Sequence, residues 1–193
     1  MAWDTARTKQ LLLDAAVAEF AEHGPEGARV ARVAERAGVN KERIYQYFGN
    51  KQKLFTAVLE AELEKVAAAV PLTDTQAADL GDYAGRIYDY HRAHPHFLRL
   101  KAWEGLMCQD RLAAQGERCG HYAEKVAAVA RARGAGASVD GLGPGQLMHA
   151  VLSLVSVWFT LPQLARMLVP ETVDAGPGAE RAALVALVRR LTA

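Results

Sequence analysis

Cysteine is nearly missing from this chain. Its two residues, Cys108 and Cys119, have no spacing that would build a zinc site or a disulfide framework, and a reducing cytoplasm is the simpler setting. Aromatic residues are scarce, at 7%. Long apolar runs are missing too: the longest, "AVLSLVSVWFTL" over 150–161, is too short to span a bilayer and ends at Pro162, so a buried helix and no membrane contact are expected. The N-terminal stretch "MAWDTARTKQLLLDAAVAEF" carries charges through its apolar residues, which argues against a signal peptide or anchor. Alternation at period two is absent, which removes the sheet classes. There is no nucleophile elbow, no phosphate-binding glycine loop and no pair of carboxylates placed for acid–base work. No catalytic residue is therefore assigned, and an enzyme is not expected. The glycine-rich run "GAGASVDGLGPG" (134–145) follows no strand and reads as a loop.

What remains is an all-α pattern. Half of the 193 residues are apolar, enough for one large or two small hydrophobic interiors. Apolar positions recur at helical spacing. A first helix from Thr5 shows Leu12, Ala16 and Phe20 on one face, and "HGPEG" (23–27) ends it through a left-handed Gly24 and Pro25. Short helices are predicted over 29–37 and from Asn40, a good N-cap, to Phe48, with Gly38 between them. A long helix follows from Lys51 to about Val70; others are predicted over 75–93, 96–108, 110–133, 145–168 and 179–192. The expected organisation is a three-helix domain over 1–50 and a larger helical domain over 51–193, joined by a continuous helix.

Charge is concentrated rather than abundant. The net charge is +1, yet residues 29–53 hold seven basic groups against Glu35 and Glu42, a local +5 that leaves −4 elsewhere. A confined basic segment on a near-neutral chain points to a confined anionic partner. Helix 29–37, the corner "AGVN" and helix 40–48 have helix-turn-helix proportions. In that motif the second helix enters the major groove of double-stranded DNA. Asn40, Lys41, Glu42, Arg43 and Gln46 would then face base edges, where Lys or Arg can donate to guanine and Gln can pair with adenine. Ile44 and Phe48 would hold the inner face against Val33 and Phe20, leaving Tyr45, Tyr47 and Lys51 to reach phosphates.

The run "RVARVAERAGVNKERIYQYFGNKQKLF" resembles the N-terminal signature of the tetracycline-repressor (TetR) family of bacterial transcriptional regulators. Ala37-Gly38-Val39, Tyr45, Tyr47-Phe48, Lys51 and Leu54-Phe55 occupy the family's corner, tyrosine, aromatic-pair, lysine and apolar positions, over about residues 8–58. One departure stands out: where that family commonly has a threonine that caps the second helix and touches a phosphate, this chain has Arg29 and Val30. Arg29 can still reach a phosphate but cannot cap.

The resemblance implies a C-terminal domain that senses a small-molecule effector and dimerises, with release from a palindromic operator as the switch. Residues compatible with an apolar or aromatic ligand are His91, Trp103, Met107, Tyr122, Trp158 and Phe159, all equally compatible with an ordinary core. Stripes at Val151, Leu154, Val155 and at Leu184, Leu187, Val188, Leu191 could pair with their mates in a homodimer as a four-helix bundle, or simply cover their own core. His91, His94 and His96 have no nearby cysteine or carboxylate to complete a metal set, so neither a metal nor a cofactor is expected. The competing readings are an enzyme and a helical ligand carrier. Duplex-DNA binding that weakens steeply with salt separates the regulator from both.

Overall fold

The computed structural model describes residues 2–107, 115–134 and 141–193. Among them are twelve helices and no strand. They form two compact units, Met1–Lys65 with His96–Gln115 and Val66–Pro95 with Gly116–Ala193.

The first unit gathers α1 (Ala2–Gly27), α2 (Val30–Ala37), α3 (Lys41–Phe48), most of α4 (Lys51–Ala69) and nearly all of α7 (Pro95–Met107). Its core takes Leu12, Ala16 and Phe20 from α1, Val33 and Ala34 from α2, Ile44 from α3, Leu54, Phe55, Val58 and Leu59 from α4, and Leu100 from α7. Burying each large apolar side chain stabilises the fold by roughly 1.5–3 kcal/mol before entropy is counted. Phe20 and Phe55 meet edge to face, their ring centres 5.2 Å apart.

The end of α1 differs from the expected left-handed cap. Gly24 does take a positive φ of 66°, but its ψ of 172° is extended, and a further helical turn runs through Pro25 to Gly27. Pro25 fits because it opens that resumed turn, where its missing N–H costs nothing. The Trp103 indole lies against the bare Cα: a Cβ at Gly24 would come within 2.8 Å of the ring.

The second unit is built around α6 (Leu80–Ala93), which packs on α9 (Pro144–Thr160) and α12 (Pro177–Leu191). The helix expected over 75–93 is in fact two. Thr73 and Gln76 form a capping box that starts α5 (Asp74–Ala77), and the Asp79 side chain caps α6 afresh. The helix expected over 145–168 is also two, because Pro162 can neither donate nor clear the preceding turn. α9 and α10 (Pro162–Leu168) meet there at a 92° bend. α11 (Pro170–Asp174) precedes α12, and α8 (Gln115–Arg133) completes the unit. Of the helix expected over 110–133, residues 110–114 lie outside the described residues, as do Cys108 and residues 135–140 of the expected loop over 134–145.

α6 and α12 approach closely because α6 presents glycine at the contact. A Cβ on Gly81 would stand 2.9 Å from the Val185 carbonyl oxygen, and one on Gly85 would stand 2.8 Å from the Arg181 guanidinium. Arg181 pairs with Asp89 at 2.9 Å and Arg189 with Asp79 at 2.6 Å, and the Tyr88 hydroxyl donates to the Glu180 carboxylate. These rungs set the register of the two helices more than their stability, since exposed ion pairs contribute little.

This packing divides the expected dimer stripes. Val151, Val155, Leu184 and Val188 are buried in the protomer's own core. Leu154 is half-buried against it, while Leu187 and Leu191 on the outer face of α12 are exposed. The physical reason is α6, which lies against both α9 and α12 and takes up the inner face of each.

Candidate nucleic-acid interface

Gly38 makes the corner between α2 and α3. Its φ of 64° and ψ of 30° are left-handed, so glycine ends the helix without a Cβ clash. The Gly38 and Val39 amides then return to the Glu35 and Ala34 carbonyls at 3.1 and 3.0 Å. Asn40 starts α3 by accepting the Glu42 amide at 3.2 Å. Ile44 is the one fully buried side chain of α3, and Phe48 packs partly against the same core.

That single anchor decides which face is turned outward. Asn40, Lys41, Glu42, Arg43, Tyr45 and Gln46 are all exposed, together on the first two turns of α3. Arg43 donates to the Gln46 side-chain carbonyl at 3.1 Å, so these two candidate base readers arrive as a pair. Lys41 sits over the Tyr45 ring at 5.9 Å, and Lys9 over the Tyr47 ring at 5.6 Å. Tyr47 is half-buried, with its ring on the core. Lys51 differs from the exposed group. Its ammonium donates to the Glu26 and Ala28 carbonyls at 3.0 and 3.3 Å, tying the start of α4 to the end of α1 and the residue that follows it.

Arg29 is the N-cap residue of α2, and its side chain makes no cap hydrogen bond. The missing cap is supplied from α1. The buried Glu19 carboxylate accepts the Arg29 amide at 2.8 Å and takes the Arg32 guanidinium through Nε at 2.8 Å and through Nη2. Burial pushes Glu19 up, but the Arg32 and Arg29 hydrogen bonds together outweigh it and hold the carboxyl below its usual range. Neither Glu19 nor Arg32 was singled out by sequence reasoning. The available signal was an acid on the face of Leu12 and Ala16, where a charge must find a partner.

The expected ligand residues divide between the units. Trp103 and Met107 belong to the first, Trp103 packing on its core as described. In the second, His91 stands edge-on to Phe159 with ring centres 5.8 Å apart, and Phe159 lies 5.1 Å from Tyr88. Burial, with His94 close by, pushes His91 down to about 4, so it is neutral at physiological pH. Trp158 packs partly against the second core, and Tyr122 on α8 is 40% exposed. The other histidines are engaged: His94 stacks on Tyr90 at 4.1 Å, and His96 meets Glu62 at 2.8 Å. Among the described residues no group of three or more His, Cys, Asp or Glu could hold a metal ion.

Comparison with known proteins agrees with this geometry. Residues 12–58 match the bacterial regulatory proteins of the tetR family, and residues 79–190 match the tetracyclin repressor-like C-terminal domain. The chain is 39% identical over 189 residues to the HTH-type transcriptional repressor SCO4008 of Streptomyces coelicolor, covering 97% of this chain and 96% of that one. It is 37% identical over 105 residues to the HTH-type transcriptional repressor NicS of Pseudomonas putida, about half of each chain. The crystal structure of SCO4942 from Streptomyces coelicolor superposes with a TM-score of 0.82 at 32% identity, covering 95% of this chain and 97% of that one. A TetR family transcription regulator from Marinobacter aquaeolei shares the fold at a TM-score of 0.77 and 16% identity, over 99% and 98% of the two chains.

Proposed function

The chain belongs to the tetR family of bacterial regulatory proteins, and we propose that it represses transcription in the cytoplasm by holding a palindromic operator until a small apolar or aromatic effector releases it. The observation that carries this is α3: one buried Ile44, a fixed corner at Gly38, and six exposed polar or aromatic residues from Asn40 to Gln46. A helix so anchored presents a stable reading face to a major groove. A regulator rather than an enzyme is the reading, supported by relatives named as repressors.

One short helix reads too few base pairs for genomic specificity, so two copies on a two-fold operator are required. The apolar surface for that homodimer is the exposed row Leu161, Leu164, Met167 and Leu168 along α10, with Leu187 and Leu191 on α12. The effector is assigned to the second unit, with His91, Trp158 and Phe159 against it. α4 runs from one unit into the other, so a ligand that prefers one arrangement of that helix shifts the DNA-binding population by its differential affinity.

The test is selection of binding duplexes from a random library, followed by measured affinity for the winner. A palindromic winner whose binding weakens steeply with salt is expected. Lys41→Ala or Gln46→Ala should each cost about 1–3 kcal/mol and relax preference at one position per half-site. Unchanged preference in both variants would overturn the assigned base readout.

A further inference from the structure

Two cations in the second unit lie around one phenol with too little negative charge between them. Lys125 on α8 donates to the Val70 carbonyl at 3.2 Å and to the Tyr83 hydroxyl at 2.9 Å, and lies 5.2 Å from the Tyr83 ring centre. Neither partner is charged. Arg86 follows Tyr83 by one turn of α6, its guanidinium carbon 5.4 Å from the same ring. Its Nε reaches Asp82 and its Nη1 reaches the Pro71 carbonyl, each at 3.0 Å. Its Nη2 is buried and has no acceptor among the described residues.

A helix-capping role explains only part of this. Val70 and Pro71 follow the end of α4, where cations are favourable because they meet unsatisfied carbonyls. Capping leaves the buried Arg86 Nη2 without a partner, which native structures rarely tolerate. It also leaves a half-buried ammonium with no counter-ion among the described residues, an arrangement that costs stability. Burial and the nearby Arg86 push Lys125 below the usual lysine range, the direction an uncompensated charge produces. Tyr83 moves the opposite way, up to about 12 through burial, so its proton stays on at any physiological pH. Because its oxygen already accepts from Lys125, that proton is left to donate.

We propose that Arg86, Lys125 and Tyr83 form a binding site for the carboxylate of a small organic acid, the charged end of the effector. This rests on the reading of the second unit as the effector-binding one. A monoanion fits because Arg86 and Lys125 together with Asp82 leave one positive charge to neutralise. The three free donors are an Arg86 Nη2–H, an ammonium N–H of Lys125 and the Tyr83 O–H, which suits the lone pairs of a carboxylate.

The experiment uses the full chain, with decanoate and benzoate as probes and 1-decanol and benzamide as neutral counterparts. Thermal shift and isothermal titration read binding, and fluorescence anisotropy on the selected operator reads release. At least one carboxylate should bind and raise Tm. Its Kd should weaken tenfold or more in Lys125→Met and in Arg86→Gln and recover in Lys125→Arg, and its Tm shift should exceed that of its neutral counterpart. No carboxylate binding, or equal binding by both variants, overturns the site. Tighter binding of decyl phosphate than of decanoate overturns the carboxylate assignment. If a neutral probe releases DNA while the carboxylates do not bind, the site fails and the effector reading stands. Carboxylate binding that leaves operator affinity unchanged keeps the site and sinks the effector reading.

Discussion

The two units are held by different means. In the first, short helices are positioned by polar groups at their ends: Glu19 at the start of α2, Asn40 at the start of α3, and Lys51 on the carbonyls at the end of α1 and just after it. In the second, longer helices are positioned along their length, by Gly81 and Gly85 letting α12 close on α6. The difference follows from what each must do. A helix of eight residues is too short to persist alone, and the proposed function leaves the outer face of α3 to DNA, so its ends do the fixing. Helices of fourteen or fifteen residues, such as α6 and α12, can be fixed by packing.

The largest effect should come from the polar fastening. Glu19→Ala would leave the Arg29 amide and the Arg32 guanidinium without their acceptor. Breaking a buried pair costs about 3–5 kcal/mol, and the partial exposure of Arg32 puts this one near 3. Chemical denaturation should show that loss, while Glu19→Gln, which keeps an acceptor for the amide, should lose less. The wild-type contribution also depends on pH. A carboxyl held below its usual value stabilises the fold above that value and loses the benefit as pH falls toward the folded one. An unchanged midpoint in Glu19→Ala would erase the contrast between the units.

The second unit has its own titration, of opposite origin. His91 drops from 6.5 to about 4 because burial disfavours its charged form, so the unfolded chain binds a proton first as pH falls. Stability is therefore complete above 6.5 and declines on the way down to 4, by about 2 kcal/mol between pH 7 and pH 5. Measuring unfolding at both pH values in wild type and in His91→Gln isolates this. The variant should lose about 2 kcal/mol less over the same interval.

How far the sequence showed all this depends on range. The Gly38 corner, the Asn40 cap and the inward Ile44 were legible because each is fixed by residues within one or two turns. The Glu19 fastening joins positions ten and thirteen apart across two helices, and only an acid on an apolar face announced it. The break between α5 and α6 was written in Asp79, an N-cap passed over inside a helical period. Pro162 was seen as the end of an apolar run and still included in a longer helix. The stripes on α9 and α12 left the partner open for a more general reason. A stripe states that a helix buries a face, not whether its own chain or a second copy covers it.

Glycine packing offers the next, smaller test. In Gly81→Ala the new methyl would stand 2.5 Å from Arg189 Cγ, which can swing away, and 2.9 Å from the Val185 carbonyl, which cannot. Overpacking of this kind costs about 1–3 kcal/mol, and the better helix propensity of alanine returns about 1. A net loss near 1 kcal/mol is expected by denaturation, with the Arg189–Asp79 pair displaced. A gain in stability would mean that α6 and α12 are spaced by something other than these glycines.

The smallest stability effect, at Asn40, separates fastening from reading. Asn40→Ala removes the only side-chain acceptor at the start of α3 and should cost about 0.5–1 kcal/mol, as N-cap losses at exposed sites do. Asn40→Ser and Asn40→Asp should both keep the cap, and so keep the stability. Their DNA affinities should diverge, because serine is neutral and aspartate brings a negative charge toward the phosphates. If Asn40 only caps, serine restores operator binding in full. If it also reads a base, serine leaves a sequence-dependent deficit that appears on the selected operator and vanishes on a non-specific duplex. Aspartate should weaken both duplexes in either case, and equal binding by aspartate and asparagine would place the start of α3 away from DNA.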